Sequence, residues 1–512
     1  MMAFRVFNSM SGKKEDFKPA DPTNVRVYNC GPTVYNYNHI GNFRSYMSID
    51  LLRRSLLFFG YGVEQTTNIT DVEDKIIANA AKQGKKIQDF TEPYIKIFLE
   101  DISYLGIQEV EHRPRATTSI PAMIDLMKRL EEHGHLYTQD GDVYFRLRSF
   151  EDYGKLSHIS PEQLKVAAGG RFTADEYSKE DIRDFALWKK QETPDEPAWD
   201  SPWGKGRPGW HLECSAMIRE IYGEGGVDIH AGGIDLLFPH HENEIAQSCC
   251  AYRGENFARY WVHNEHLLVD GKKMSKSVGN YFTLRDFSEK DKLELLIKEG
   301  RAPADLLKLH EKQKMQRALR YLLLSTHYRS RLNFTFENLR SSDAAIERIQ
   351  TCLDKLLLQT PLSDEVKTRF KKGKLETADS IFKETVFAEA MAAFRTALED
   401  DLNIARALAA VFDAVSAVNA GKLTESICKE GVLFFYAVNQ IIDVLEFTNP
   451  ESREVVAQDL GDLESFVVSK IEERLKARAE KNWKRSDEIR DELKAKGILL
   501  KDSAQGTTWE KA

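Results

Sequence analysis

Val25-Arg26-Val27-Tyr28-Asn29-Cys30-Gly31-Pro32-Thr33-Val34-Tyr35-Asn36-Tyr37-Asn38-His39-Ile40-Gly41-Asn42-Phe43 changes character twice. Val25 to Tyr28 alternates as a strand does. Cys30 to Asn42, with Gly31, Pro32 and Gly41, has the composition of a loop. From Phe43 the apolar residues Met47, Leu51, Leu52, Leu56 and Phe59 recur at helical spacing, and the run stops at Gly60. Val63 to Ile69 predicts the next strand. Strand, loop, helix and strand open a parallel α/β sheet, and such sheets bind ligands at the carboxyl ends of their strands. His39-Ile40-Gly41-Asn42 sits just before the helix, where free N–H groups and the helix dipole favour anions. Gly41 has no Cβ to keep a nucleotide away, and His39 can donate to a phosphate. By itself the tetrapeptide reads equally well as a loop histidine.

A second phosphate-handling segment, Lys273-Met274-Ser275-Lys276-Ser277, lies more than two hundred residues downstream, after Gly271. It offers two ammonium groups and two hydroxyls, and phosphoryl chemistry is mainly positioning and charge stabilisation. Alone it is a solvated basic loop. Together the two segments resemble the HIGH and KMSKS signatures of class I aminoacyl-tRNA synthetases. The superfamily pattern ends in His where this chain has Asn42, which donates a hydrogen bond but is never cationic. The part played by that position is left open. The resemblance gives His39, Asn42, Lys273 and Lys276 the phosphates of Mg²⁺-ATP, with Lys276 on the leaving pyrophosphate.

The 512 residues exceed what one core holds, and about three or more domains are expected. Charged residues make up 30% and hydrophobic residues 42%, as in ordinary globular chains. With a net charge of −8, contact with nucleic acid must rest on local basic patches. Six sparse cysteines give no disulfide framework and fit a reducing compartment. Residues 1–19 lack an apolar signal region, and no stretch reaches membrane-spanning length. A cytoplasmic, monomeric protein without membrane contact is expected.

Three small constellations narrow the family. Cys30 follows the first strand, Cys214 lies in Trp210-His211-Leu212-Glu213-Cys214-Ser215, and His240 and Glu244 lie in Phe238-Pro239-His240-His241-Glu242-Asn243-Glu244. Pro239 suits a first helical residue, which puts His240 and Glu244 at i and i+4 on one face and His241 about 100° away. Two thiolates, an imidazole and a carboxylate suit zinc. The spacing is no zinc finger, and buried cysteines beside a helix-surface histidine explain the same residues. A zinc hydrolase is a further reading, but the His-Glu-x-x-His spacing is missing.

These residues resemble cysteinyl-tRNA synthetase, and the resemblance spans nearly the whole chain. It implies that Cys30, Cys214, His240 and Glu244 hold one zinc ion. It implies that Thr70, Trp210 and His230 flank the bound L-cysteine, and that Gly232, Gly233 and Asp235 face the adenosine of ATP. Serine is nearly isosteric with cysteine and apolar pockets reject near-isosteres poorly. A metal that takes the thiol would discriminate where shape does not. Cys249 and Cys250 read as helix core.

The implied fold is a Rossmann-like catalytic domain in two halves, 1–112 and 206–286, split by a connective subdomain at 113–205. A linker with a stem-contact segment, His327-Tyr328-Arg329-Ser330, occupies 287–335. A helical bundle at 336–460, carrying Asp400-Asp401-Leu402-Asn403, and a small mixed α/β anticodon-binding domain at 461–512 follow. Phe287 to Ala318 reads as carrying about twenty residues beyond the family's usual link. A helix-like run is expected from Val467 to Lys496, then a short strand Ile498-Leu499-Leu500. Lys470 to Lys501 holds eleven basic and seven acidic residues with one tryptophan, Trp483. Charge alone fits a solvated helix, and an aromatic amid cations fits RNA loop bases. The resemblance puts Arg478, Trp483, Asp487 and Asp502 on the anticodon.

The activity so implied is cysteine–tRNA ligation. Cysteine attacks the α-phosphate of ATP, giving cysteinyl-adenylate and pyrophosphate, and the 3′-terminal ribose of tRNA(Cys) then takes the acyl group. No protein nucleophile is needed. Two readings compete: a zinc-dependent ligase joining cysteine to a small amine acceptor, and a catalytically silent tRNA-binding protein.

Overall fold

The computed structural model describes residues 4–159, 184–223, 225–253, 257–361, 382, 385–448, 450, 467, 469–471, 473–478, 482–495, 498–503 and 506–511. The chain divides into two compact units, Met1–Leu353 with Leu362–Leu445, and Asp354–Pro361 with Glu446–Ala512.

The first unit is built on a four-stranded parallel sheet in the order Ala258–Asn264, Val227–Gly233, Val25–Asn29, Val63–Thr67. Every residue of Val227–Gly233 is buried, the pattern of a strand covered on both faces. Val25–Asn29 pairs with Val63–Thr67 on one side and, about two hundred residues later in sequence, with Val227–Gly233 on the other. The chain reverses its direction of build at that strand, which opens a crevice beyond its carboxyl end.

The helix Ile40–Phe58 confirms the run expected from Phe43 and fills one face of the sheet. Its four charged residues, Arg44, Asp50, Arg53 and Arg54, are also buried. Asp50 Oδ2 accepts from Arg54 Nε and from Arg320 Nη2, both at 2.8 Å. Arg320, fully buried in Met315–Leu324, also donates to the carbonyls of Leu105 and Ile442. Arg54 reaches Asp443 at 2.9 Å.

An antiparallel sheet runs Leu136–Gln139, Asp142–Phe145, Phe185–Lys190, Gly206–Pro208. Among the described residues it has no core of its own: Val143, Phe145 and Trp188 share one apolar cluster with Ile120, Met217 and Trp261. Beyond Leu306 the chain is helical over Met315–Leu324, Phe336–Gln359, Thr385–Glu399, Ile404–Ala420 and Glu425–Ile442. A short strand lies in the linker just ahead of the bundle. Leu332–Phe334 pairs in parallel with Leu267–Val269, which pairs in turn with Lys272–Lys273 at the start of the lysine loop. The segment read as additional, 287–318, is packed rather than superficial: Phe287, Leu293, Leu296, Leu306, Leu309, Met315 and Ala318 are all buried.

In the second unit Val467, Ile489, Leu493 and Ile498 form a small core. The single helix expected over 467–496 is broken. Asn482 is not helical; its Oδ1 accepts from the Arg485 amide at 3.2 Å, starting a new helix at Trp483–Ala495. The final strand is half of a hairpin, Ile498–Ser503 with Gly506–Lys511, whose second strand was not anticipated. Among the described residues no helix is long and apolar enough to cross a membrane.

Candidate active site and metal centre

A cavity of about 480 Å³ opens at the carboxyl end of the parallel sheet. It gathers Cys30, His39, Gly41, Asn42, Trp210, Gly232, Gly233, Asp235 and Lys273 on one wall or another. Residues more than two hundred positions apart thus face one space.

At one end stands the first helix. His39 caps it: the Asn42 amide donates to His39 Nδ1, and Asn42 Oδ1 accepts from the His39 amide, each at 3.1 Å. Nδ1 is therefore an acceptor, and a neutral ring keeps its proton on Nε2. Burial lowers the pKa of His39, which favours that neutral form. A Cβ on Gly41 would stand 2.9 Å from His39 Nδ1 and from Met274 Cε, so the glycine is what lets the lysine loop close on the helix start. Lys273 and Lys276 are exposed on that loop. Lys276 Nζ lies 5.1 Å from the Tyr281 ring, and Tyr281 meets His39 edge-on at 5.4 Å. Lys276 is not on the cavity wall.

At the other end the cluster of ligating side chains is buried, Cys30 alone reaching the cavity. Cys30 follows its strand, Cys214 belongs to Leu212–Tyr222, and Glu244 to Glu242–Ala251. Phe238 is extended, and from Pro239 the backbone is helical, through a wide turn that runs on into Glu242–Ala251. His240 and Glu244 stand at i and i+4 as expected, with His240 Nε2 3.0 Å from Glu244 Oε1. The two sulfurs are 3.7 Å apart as free thiols. Two Zn–S bonds of about 2.3 Å at a tetrahedral angle span about that distance. His240 Nε2 and Glu244 Oε1 are both buried without a hydrogen bond of good geometry. A buried imidazole nitrogen and a carboxylate oxygen 3.0 Å apart, with two thiols beside them, make a four-donor set, and soft sulfur with imidazole suits zinc. The residues fit the metal.

The electrostatics agree. The Cys30–Cys214 hydrogen bond and burial hold the Cys214 thiol well above its ordinary pKa. That hydrogen bond lowers Cys30, but burial and the Glu244 carboxylate outweigh it, and the thiol is raised overall. Burial would lower His240, but Glu244 and Cys214 hold it at about 10. Burial would raise Glu244, but His230 and His240 bring it to about 2. The cluster is thus two thiols with an ion pair, and a dication bound there would displace those protons.

A second set, Cys30, His230, His241 and Glu244, is gathered equally closely. Its histidines have other partners. His230 Nε2 lies 2.8 Å from Glu244 Oε2, leaving Oε1 to face His240. His241 Nδ1 lies 2.8 Å from His263 Nε2, and its Nε2 is 3.4 Å from Cys30 Sγ. His211 Nδ1 lies 3.0 Å from His240 Nδ1. His211 and His263 had no signal in the sequence. Trp210 stacks on His240 at 4.2 Å and is 39% exposed, forming the wall between histidine and cavity. Thr70 and His230, expected beside the amino acid, are buried and stand behind that wall. Thr70 Oγ1 donates to Glu213 Oε2 at 2.6 Å, and burial pushes the Glu213 carboxyl up to about 8.

In the second unit Trp483 is 59% exposed at the start of its helix, and Asp487 pairs with Arg490 at 3.2 Å. Arg478 is half-buried, and the backbone of Asp502 lies in register with that of Thr507 across the hairpin.

Family models match over most of this architecture. Residues 16–298 match the tRNA synthetases class I (C) catalytic domain, 393–445 a DALR domain, and 471–509 the cysteinyl-tRNA ligase anticodon binding domain. A cysteine–tRNA ligase of Leptospira interrogans is 46% identical over 513 residues, covering 100% of both chains. The chain belongs to the cysteine–tRNA ligase family. A family member from Brachyspira hyodysenteriae is 40% identical over 509 residues, covering 99% of this chain and 98% of its own. The full-length match to the Leptospira protein means that the 287–318 segment is no peculiarity of this chain. Two solved structures share the class I fold at low identity. A Mycobacterium tuberculosis methionyl-tRNA synthetase bound by methionyl-adenylate has a TM-score of 0.54 at 14% identity, covering 83% of this chain and 92% of its own. The Agrobacterium radiobacter K84 agnB2 LeuRS has a TM-score of 0.54 at 11% identity, covering 84% and 85%.

Proposed function

We propose that this chain activates L-cysteine with magnesium-bound ATP to cysteinyl-adenylate and transfers the cysteinyl group to the 3′ end of tRNA(Cys). The observation that carries the proposal is a single cavity with Cys30 at one end and His39, Asn42 and Lys273 at the other. A phosphate chain held at the helix start leaves room for an amino acid before Cys30. His39 Nε2–H donates to the phosphates as a neutral group, and Asn42, whose backbone and Oδ1 hold the cap, keeps its Nδ2 donors for the ligand. Lys273 and Lys276 bring positive charge to the pyrophosphate as it leaves. Gly232, Gly233 and Asp235 accommodate the adenosine. Orientation and charge do the work; no side chain makes a covalent intermediate.

Cys30, Cys214, His240 and Glu244 would hold zinc. Bound there, zinc supplies a soft acceptor that a thiolate satisfies and an alcohol does not. His230 and His211 orient Glu244 and His240, and Trp210 closes the amino-acid end against water. In this reading Thr70 acts from behind the wall, through Glu213. Arg478, Trp483, Asp487 and Asp502 would read the anticodon, which a partner as small as an amine does not require. We infer action as a monomer, and a site with two thiolate ligands suits the reducing cytoplasm.

The test is cysteine-dependent exchange of pyrophosphate into ATP, with serine as control, before and after zinc is stripped. Exchange with cysteine alone, lost with the metal and followed by charging of tRNA(Cys), is the expected result. A folded, zinc-loaded protein without exchange refutes the proposal.

A further inference from the structure

Two tyrosines, two residues apart, stand at the mouth of the cavity, and each carries a lysine over its ring. Lys75 Nζ lies 5.6 Å from the Tyr35 centroid, and Lys292 Nζ lies 4.5 Å from that of Tyr37. Tyr35, Tyr37 and Lys75 border the cavity, and Tyr37 is 36% exposed. The Tyr37 ring is held edge-on against Tyr94 at 6.0 Å, so its orientation is fixed before anything binds. The lysines come from unrelated elements. Lys75 starts the helix Asp74–Lys82, whereas Lys292 lies in Lys290–Lys298, within the 287–318 segment to which the reading above gives no task. The charges around them are mixed: Glu289 lies 3.0 Å from Lys292 Nζ, and Glu73 accepts from the Lys75 amide. The same aromatic-plus-ammonium pairing therefore occurs twice on one rim, from two directions.

We propose that the Tyr35–Lys75 and Tyr37–Lys292 pairs form a rim that receives the unpaired 3′ strand of the tRNA as it enters to collect the cysteinyl group. This rests on reading the cavity as the adenylate site. The acyl group is formed inside, so the strand carrying the accepting hydroxyl must cross the mouth. Every base has a π face that an aromatic ring can stack on, and every linkage has a phosphate that an ammonium can meet, whatever the sequence. The pairing suits single-stranded RNA, whose bases are free to splay, and not the closed faces of a duplex.

The test compares wild type with the double variant Lys75→Gln/Lys292→Gln, with Tyr37→Ser and with Tyr37→Phe. Cysteine-dependent exchange without tRNA reads the chemistry inside the cavity; transfer to tRNA(Cys) reads the rim. Exchange within about twofold of wild type is expected in all variants. The KM for tRNA in transfer should rise about tenfold in the double variant and in Tyr37→Ser, while Tyr37→Phe, which keeps the ring, stays near wild type. A tRNA stripped of its unpaired 3′ nucleotides should bind wild type and variants alike. Unchanged transfer in the double variant and in Tyr37→Ser overturns the proposal and leaves the adenylate reading standing. Reduced exchange without tRNA also overturns it, by moving the rim into amino-acid activation. A wild-type protein without exchange overturns the adenylate reading itself, and this proposal with it.

Discussion

His39 and Asn42 cap the same helix reciprocally, each accepting the other's amide through a side chain at 3.1 Å. The Asn42 backbone amide fixes the His39 tautomer, and the side chain that departs from the superfamily pattern closes the other half of the box. Asn42→Ala removes half of this box and should cost about 1 kcal/mol of stability, with a fall in the exchange rate larger than that loss explains. Asn42→Asp keeps the acceptor and adds charge, so stability should hold while the KM for ATP rises. Denaturant melts alongside exchange kinetics check both.

The two overlapping ligand sets can be separated by metal content. His240→Asn should lose stoichiometric zinc and exchange together. His241→Asn should keep zinc at stoichiometric loading, with affinity weakened about ten- to a hundredfold, as for residues that orient ligands. Loss of zinc in His241→Asn with retention in His240→Asn would reverse the assignment.

Gly31 has no room for a methyl group. A Cβ there would lie 1.6 Å from the Asn68 carbonyl oxygen, backbone against backbone. Gly31→Ala should cost about 2–3 kcal/mol and move Cys30 with it. A lowered melting temperature with weakened zinc binding is expected; an unchanged melt would contradict the packing.

Burial lowers His263 from the ordinary 6.5 to about 3. The unfolded chain binds a proton there that the folded chain refuses, so stability is full above pH 6.5 and is lost as pH falls toward 3. The loss is about 1.4 kcal/mol per pH unit for one such histidine. His241, lowered by burial and by neighbouring histidines, acts in the same direction. The chelated protein should melt at falling temperatures from pH 7 to pH 5, with a shallower slope in His263→Gln. A melt independent of pH in that range would refute this.

Arg320 and Arg54 share the buried Asp50 carboxylate, and its pKa is lowered because the two guanidiniums outweigh burial, which alone would raise it. Arg320→Met leaves Arg54 as the only guanidinium of that pair on Asp50 and orphans the Leu105 and Ile442 carbonyls. A loss of about 3–5 kcal/mol is expected by denaturant melting.

The start of the fold was legible because Val25 to Gly60 holds local signals: alternation, a glycine-rich loop and a helical period closed by glycine. The site was legible only in part. Cys30, Cys214, His240 and Glu244 could be joined through a family likeness, because nothing local pairs residues that a non-sequential sheet order brings together. His211 and His263 escaped for the same reason, their roles being set by what lies across the fold. The strand Leu332–Phe334 is too short for its alternation to register, and Asn482 was passed over as a cap because strong helix formers surround it.

The sheet order also sets a timetable. Val25–Asn29 leaves the ribosome early, yet one of its two neighbours, Val227–Gly233, is made about two hundred residues later. Until then the nascent chain carries an open, apolar strand edge and a lone Cys30, the combination that invites mispairing and oxidation. The proposed zinc ligands are complete only with Glu244, so metal binding there would wait until nearly half of the chain has been made. Conditions that slow translation between Thr67 and Val227 lengthen the exposed interval, and with it the demand on chaperones.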